Sequence, residues 1–153
     1  MLSKLDSATV HGLDAIKVEV EVDISSGLPA FNIVGLPDTV VQESRERVRS
    51  SILNSEFEFP LRRITVNLAP ADIKKEGPSF DLPIALAILL ASRVISFDKI
   101  NQYLIIGELS LNGEIREVSG ALSIAFCAKK EGKKGIIVPF DNAEEAAIVN
   151  DLE

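Results

Sequence analysis

The chain has 153 residues, 46% of them apolar and 25% charged, with a net charge of −7; that suffices for one domain, residues 1–153, with a genuine core. The acidic balance excludes a surface that binds nucleic acid by charge alone, because phosphate contacts require clustered Lys and Arg. His11 and Cys127 are the sole histidine and cysteine, which excludes an internal disulfide and a zinc centre, and the lack of a long apolar run after Met1 fits a cytoplasmic chain with no membrane segment.

In chain order, Ala15–Ile24 alternates apolar Ile16, Val18, Val20 and Val22 with Lys17, Glu19, Glu21 and Asp23, the pattern of a half-buried strand. Ser25–Pro29 is a turn, and Phe31–Val34 is expected to return as the antiparallel partner of a hairpin. Asp38 then caps a helix to about Ser55, with Val41, Ser44, Val48, Ser51 and Ile52 on its buried stripe and Glu43 placed to pair with Arg47 one turn on. Arg45, Arg47 and Arg49 form the one local basic concentration, diluted by Glu43 and Glu46; it reads as a solvated helix face or as an edge that meets a neighbouring subunit or an anionic ligand. Arg62–Leu68 is the next strand.

Lys74–Ser92 is the organising stretch. A charged loop enters Gly77-Pro78-Ser79, and Leu82, Ile84, Leu86, Ile88, Leu89 and Leu90 follow with alanines between them and no polar face. Such a helix is buried on all sides. Asp81 suits its N-cap and Pro83 its first turn. Tyr103–Ile106 is a short core strand, Gly107–Ile115 a hairpin with Asn112-Gly113 at its tip, Ala121–Lys130 a helix that ends in lysines before Gly132, Ile136–Pro139 a core strand, and Asn142–Val149 a last helix. Cys127, between Phe126 and Ala128, is expected as a small core residue. Irregular alternation and frequent hairpins argue against a purely parallel doubly wound sheet.

The chemistry is sparse. No G-x-x-x-x-G-K-[ST] pattern occurs, so the chain carries no P-loop, and His11 anchors no Ser–His–Asp triad. Ser79 stands before the N-terminus of the core helix, where unpaired N–H groups favour negative charge; it is a capping serine or a nucleophile. A nucleophile needs a base, and Lys74 and Lys75 lie in a charged loop where they are expected to stay solvated and protonated. Asp81 could also bind a cation.

The stretches SSGLPAFNIVGLPDTVVQESRERVRSSILNS, RITVNLAPADIKKEGPSFDLPIALAILLAS and IGELSLNGEIREVSGAL closely resemble the N-terminal domain of the Mg-chelatase-like AAA+ ATPases of the ComM and YifB family, from about Leu5 onward. That resemblance implies an α+β fold of the Lon-protease-like type, related to ribosomal protein domain 2-like and GHMP-kinase folds, with a mixed sheet, βαβ units and a left-handed crossover. In Lon a catalytic serine lies in a Gly-Pro-Ser motif, which here is Gly77-Pro78-Ser79, and a catalytic lysine in Gly-Gly-Leu-Lys, whose counterpart Ser119-Gly120-Ala121-Leu122 puts Leu122 at the lysine position. The resemblance thus implies a vestigial dyad and a non-catalytic domain, with a Ser–Lys peptidase using a lysine from elsewhere as the alternative. It further implies an AAA+ module outside this chain that binds ATP and Mg, hexameric assembly with neighbouring subunits, and action on DNA in recombination and competence. Arg45, Arg47, Arg49, Arg62 and Arg63 are the candidates for touching DNA, and this chain itself is expected to hold no metal or cofactor.

Overall fold

The computed structural model describes residues 1–153. Strands β1 (Leu2–His11), β2 (Asp14–Ser25), β3 (Ala30–Val34), β4 (Arg63–Ala69), β5 (Tyr103–Ile105) and β8 (Gly135–Ile137) form one mixed sheet in the order β3-β4-β2-β1-β5-β8, and β6 (Glu108–Leu109) with β7 (Ile115–Arg116) forms a small second one. Helices α1 (Thr39–Asn54), α2 (Asp81–Ala91), α3 (Ala121–Lys130) and the short α4 (Ala143–Ala146) complete the mixed α/β chain. No helix is long and apolar enough to cross a membrane.

The alternation of β2 does what its residues dictate. Val18, Val20, Val22 and Ile24 face a core shared with Ile64, Val66 and Leu68 of β4 and with Ile84, Ile88 and Leu89 of α2. α1 packs on α2 through Val41, Val48 and Ile52, the stripe its spacing defines. On the opposite face α3 covers β1 and β5 through Ile124, Cys127 and Ala128 against Ala8, Leu104 and Ile106. α2 has no polar side because it lies between the sheet and α1; nearly all of its residues are buried.

Two sequence expectations fail here. β3 does not return as a hairpin on β2; it pairs parallel with β4, Phe31 opposite Ile64, and β4 is inserted between β2 and β3. Parallel pairing through α1 buries the β4 edge and the apolar α1 stripe together, which a simple hairpin would leave open. The partner of β2 is instead β1, joined over Gly12-Leu13 and in register from Leu2 opposite Asp23 to His11 opposite Asp14. Polar Asp6, Ser7 and Thr9 hide this strand from periodicity, yet it runs through the sheet interior with all three buried. Asp6 is matched by the ammonium of Lys133, which also donates to the Asn101 carbonyl at 2.6 Å. The last helix is also shorter than expected: a 3-10 turn, Phe140–Asn142, precedes only one turn of α4.

Strand direction decides where function can lie. β1, β3, β4, β5 and β8 run one way and β2 alone opposes them. α1 follows β3, α2 follows β4 and α3 follows β5 by way of the β6–β7 hairpin, so all three helices start at the carboxyl end of the parallel strands. Open α/β sheets bind their ligands at that end.

The hydroxyl of Ser7 is fully buried and has no hydrogen-bond partner. Ser7→Ala removes an unsatisfied polar group at little change in volume and is expected to raise unfolding stability by about 1 kcal/mol, read from the urea midpoint at constant slope.

Candidate functional site

α2 is not opened by a side-chain cap. Its N-cap is Phe80, and Asp81, the expected cap, is its first helical residue. The Asp81 carboxylate is completely buried and turns toward α1. Oδ1 accepts from the Ser44 hydroxyl at 2.5 Å, Oδ2 from Arg47 Nε at 2.6 Å and from the Leu109 backbone N–H at 3.1 Å, and Arg47 Nη2 reaches Oδ1 at 3.2 Å. The cation that Asp81 binds is therefore a guanidinium. Arg47 does not form the expected surface pair with Glu43; its Nη2 instead also donates to the Val40 carbonyl at 2.9 Å. Burial works against the Arg47 charge, but the hydrogen bonds and charge of Asp81 outweigh it and hold the guanidinium above its ordinary range. Removing the acceptor orphans three donors at once. Asp81→Leu is expected to cost about 3 to 5 kcal/mol in urea unfolding, and more than Arg47→Met, which leaves Asp81 two of its donors.

Ser79 lies at the lip of a cleft of about 530 Å³ between the starts of α1, α2 and α3. Asp38, Gly77, Pro78, Ser79, Glu108, Glu117 and Gly120 line it, together with Thr9 and Val10 from the end of β1. Gly120 starts α3 with φ +86, and a side chain there would collide with Val10. Asn142 holds the opposite rim as a mimic of backbone pairing: its Oδ1 accepts from the Val118 N–H and its Nδ2 donates to the Val118 carbonyl, each at 2.9 Å. No lysine or arginine lines the cleft. The Ser79 carbonyl accepts from the Gly107 N–H at 3.0 Å. Leu122 does not face Ser79; it packs with Ala125, Ala146 and Val149, and its N–H donates to Glu145 Oε1 at 3.1 Å.

Lys75 overturns the expectation of a solvated loop lysine. Its side chain is fully buried, and the amine donates to the carbonyls of Gly35, at 2.7 Å, and Pro70. The adjoining backbone is pinned by Lys75 N–H to the Leu36 carbonyl and by Asp38 N–H to the Lys75 carbonyl, both at 3.0 Å. Burial pushes the Lys75 amine below its ordinary 10.5, against a weaker pull from Asp72. A neutral amine still has two N–H bonds for those two carbonyls. The folded state therefore sheds this proton before the unfolded state does, so stability from this residue grows as pH rises through the lowered value toward 10.5. The unfolding free energy of the wild type should gain on that of Lys75→Met as pH rises toward 10.5; parallel profiles for the two would show that the group is not perturbed.

A second candidate site lies at the opposite end of α2. Arg45 and Arg49, one turn apart on α1, converge with Arg62 on a groove floored by Phe31, Phe59 and Leu61. Its volume is about 380 Å³, and Arg49, Arg62 and the Phe59–Leu61 segment also line an adjoining groove of about 690 Å³ that reaches Ser92 and Val94 at the end of α2. The Phe31 and Phe59 rings lie 5.7 Å apart at 35°. Glu46 and Glu58 sit on the same rims. Of the five arginines singled out in the sequence, these three come together. Arg47 is committed to Asp81, and Arg63 points from β4 to the face opposite Ile64. Sequence reasoning had no means to find Thr9, Glu108 and Glu117 as lining residues of one cleft, because 99 residues separate Thr9 from Glu108 and only the β1–β5 pairing joins them.

Comparison with known proteins places the chain. Residues 20–142 match the family model described as ChlI, subunit ChlI of Mg-chelatase. The Escherichia coli protein YifB is 49% identical over 149 residues, 97% of this chain and 29% of that protein. The competence protein ComM of Haemophilus influenzae is 45% identical over 140 residues, 92% of this chain and 27% of that one. Lon protease 2 of Bacillus subtilis is more distant, 27% identical over 142 residues, 84% of this chain and 25% of the protease. The chain spans less than a third of each of these relatives. With the family model covering most of its core strands and its three main helices, the chain belongs to the Mg-chelatase ChlI family, as a counterpart of the part shared with YifB and ComM.

Proposed function

We propose that this chain is the Lon-protease-like domain of a Mg-chelatase-like AAA+ ATPase that acts on DNA, and that it positions DNA beside the motor and helps to assemble a hexameric ring. The Lon-like reading of the fold is supported by the distant match to Lon protease 2 along 84% of the chain and by the mixed sheet with its parallel β3–α1–β4 unit. The competence reading is supported by the name of the Haemophilus relative. ATP and Mg belong to the part of the protein that lies outside this chain. Neither helix start nor loop here has the glycine–lysine pattern that cradles a nucleotide phosphate.

The observation that carries the DNA reading is the convergence of Arg45, Arg49 and Arg62 over an apolar and aromatic floor. Single strands are held in this way, by cations along the phosphates and ring faces against the bases. The −7 net charge does not forbid it, because a groove acts through its local charge and not through the sum over the surface. The vestigial reading of Ser79 is supported by a cleft whose lining includes no lysine.

In the full-length protein, Arg45→Glu with Arg49→Glu is expected to weaken binding to branched DNA and to lower the salt slope by about two. Arg116→Glu, an exposed charge outside the groove, should leave both unchanged. Wild-type affinity and slope in the double variant would remove the DNA role of this groove.

A further inference from the structure

The cleft at the start of α2 has a charge balance that neither the helix starts nor the proposed DNA role explains. A helix N-terminus carries a partial positive charge and attracts anions, and three helices start here. The starts of α1 and α3 already have a carboxylate on a helix N–H, and the one in the first turn of α2 is turned toward α1. Asp38 accepts from the Val41 N–H at 2.7 Å and from the Gly77 N–H at 3.3 Å. Asp81 sits in the first turn of α2. Glu145 accepts from the Leu122 N–H in α3. The anion demand of the α1 and α3 starts is met from within the chain.

The unpaired side chains of the cleft can all accept a hydrogen bond. Glu108 and Glu117 line it and make no direct ion pair, Glu108 acting on the Arg47 charge only from a distance, whereas Glu76 has Lys74 at 3.5 Å. Thr9 is only 5% exposed, lines the cleft, and makes no hydrogen bond through its hydroxyl. The Ser79 hydroxyl is likewise without a partner and lines the same space. A metal ion does not fit, since no group of three or more carboxylate, imidazole or thiolate ligands is gathered anywhere in the chain. An anion does not fit either, because no cation lines the cleft and two free carboxylates would repel it. The remaining wall is apolar, Val10, Val118 and Ile124, and can carry a methylene stem. The size lies within the range of about 300 to 1,000 Å³ usual for small-ligand sites.

We propose that this cleft binds an alkylammonium group, its three N–H donors shared among the Thr9 and Ser79 hydroxyls and the Glu108 and Glu117 carboxylates, with its stem along Val10, Val118 and Ile124. An ammonium group has three donors and no acceptor, which complements a site made of acceptors. The group arrives either on a lysine side chain of a peptide segment or on a free polyamine. The chemistry is the same, and the source is separable by experiment.

The test uses the 153-residue chain and follows backbone amide NMR shifts with four probes: acetyl-Ala-Lys-Ala-amide, the same peptide with norleucine for lysine, spermidine, and inorganic phosphate. The lysine peptide or spermidine should give saturable shifts at Thr9, Ser79, Glu108 and Glu117 at roughly millimolar concentration. A response to the lysine peptide alone assigns the site to a protein segment, and a response to spermidine assigns it to a free amine. Thr9→Val, which removes the hydroxyl at constant size, and Glu108→Gln with Glu117→Gln should each weaken binding by about tenfold or more. Glu144→Gln on the far side of α4 should not. The proposal is overturned if neither amine moves these amides, if the norleucine peptide binds as well as the lysine peptide, or if phosphate alone produces the shifts. The result does not depend on the arginine groove, so either site can fail without the other.

Discussion

The carboxylate of Asp81 is the point at which the separate parts of this molecule are tied. It is fully buried at the first turn of α2, and it is met from α1 by Ser44 and Arg47 and from β6 by the N–H of Leu109. An isolated charge there would be prohibitive, and the arrangement is tolerable only because every side of the carboxylate is met by a donor. The network fixes three things together: how α1 crosses α2, where α2 begins, and how close the β6–β7 hairpin comes to the helix start. The position of Ser79 follows from it, since Ser79 is two residues before Asp81 and shares the backbone that receives Gly107.

Strand direction does the rest. Because five strands of the sheet run together, the starts of α1, α2 and α3 gather at one end and the close of α2 lies at the other. The two ends acquire opposite electrostatic character. At the starts, internal carboxylates answer α1 and α3, and the cleft between them keeps unpaired carboxylates and hydroxyls. At the close of α2, Arg49 and Arg62 line the groove that reaches Ser92 and Val94, where a helix end favours cations, and Arg45 joins them in the adjoining groove. α2 is about 16 Å long from its residue count and rise, so the two ends are separate sites in one rigid frame. An acidic chain can therefore carry a basic groove without contradiction.

Much of the architecture was legible in the residues. β2 alternates without interruption, the α1 stripe of Val41, Ser44, Val48, Ser51 and Ile52 is buried as spaced, and α3 spans Ala121–Lys130 as its apolar run and terminal lysines indicate. Cys127 is a core residue whose thiol burial pushes up. These features are local: each depends on a period, a cap or a breaker within about a dozen residues, which a sequence displays directly.

What only the tertiary structure decided depends on pairing across the chain. β1 is a central strand although Asp6, Ser7 and Thr9 break its pattern, because a strand covered on both faces need not alternate. β3 chose β4 over β2, a choice set by which edge and which helix stripe become buried together. Lys75 and Arg47 read as surface charges, and both turn inward because their partners, the Gly35 and Pro70 carbonyls and the Asp81 carboxylate, come from segments that composition cannot bring near them. The residues by themselves determined the family, the elements and the apolar α2. The grouping of three of five arginines, and the acceptor-lined cleft at Ser79, had to await the fold, since a site is a meeting of side chains and its members here lie up to 115 residues apart.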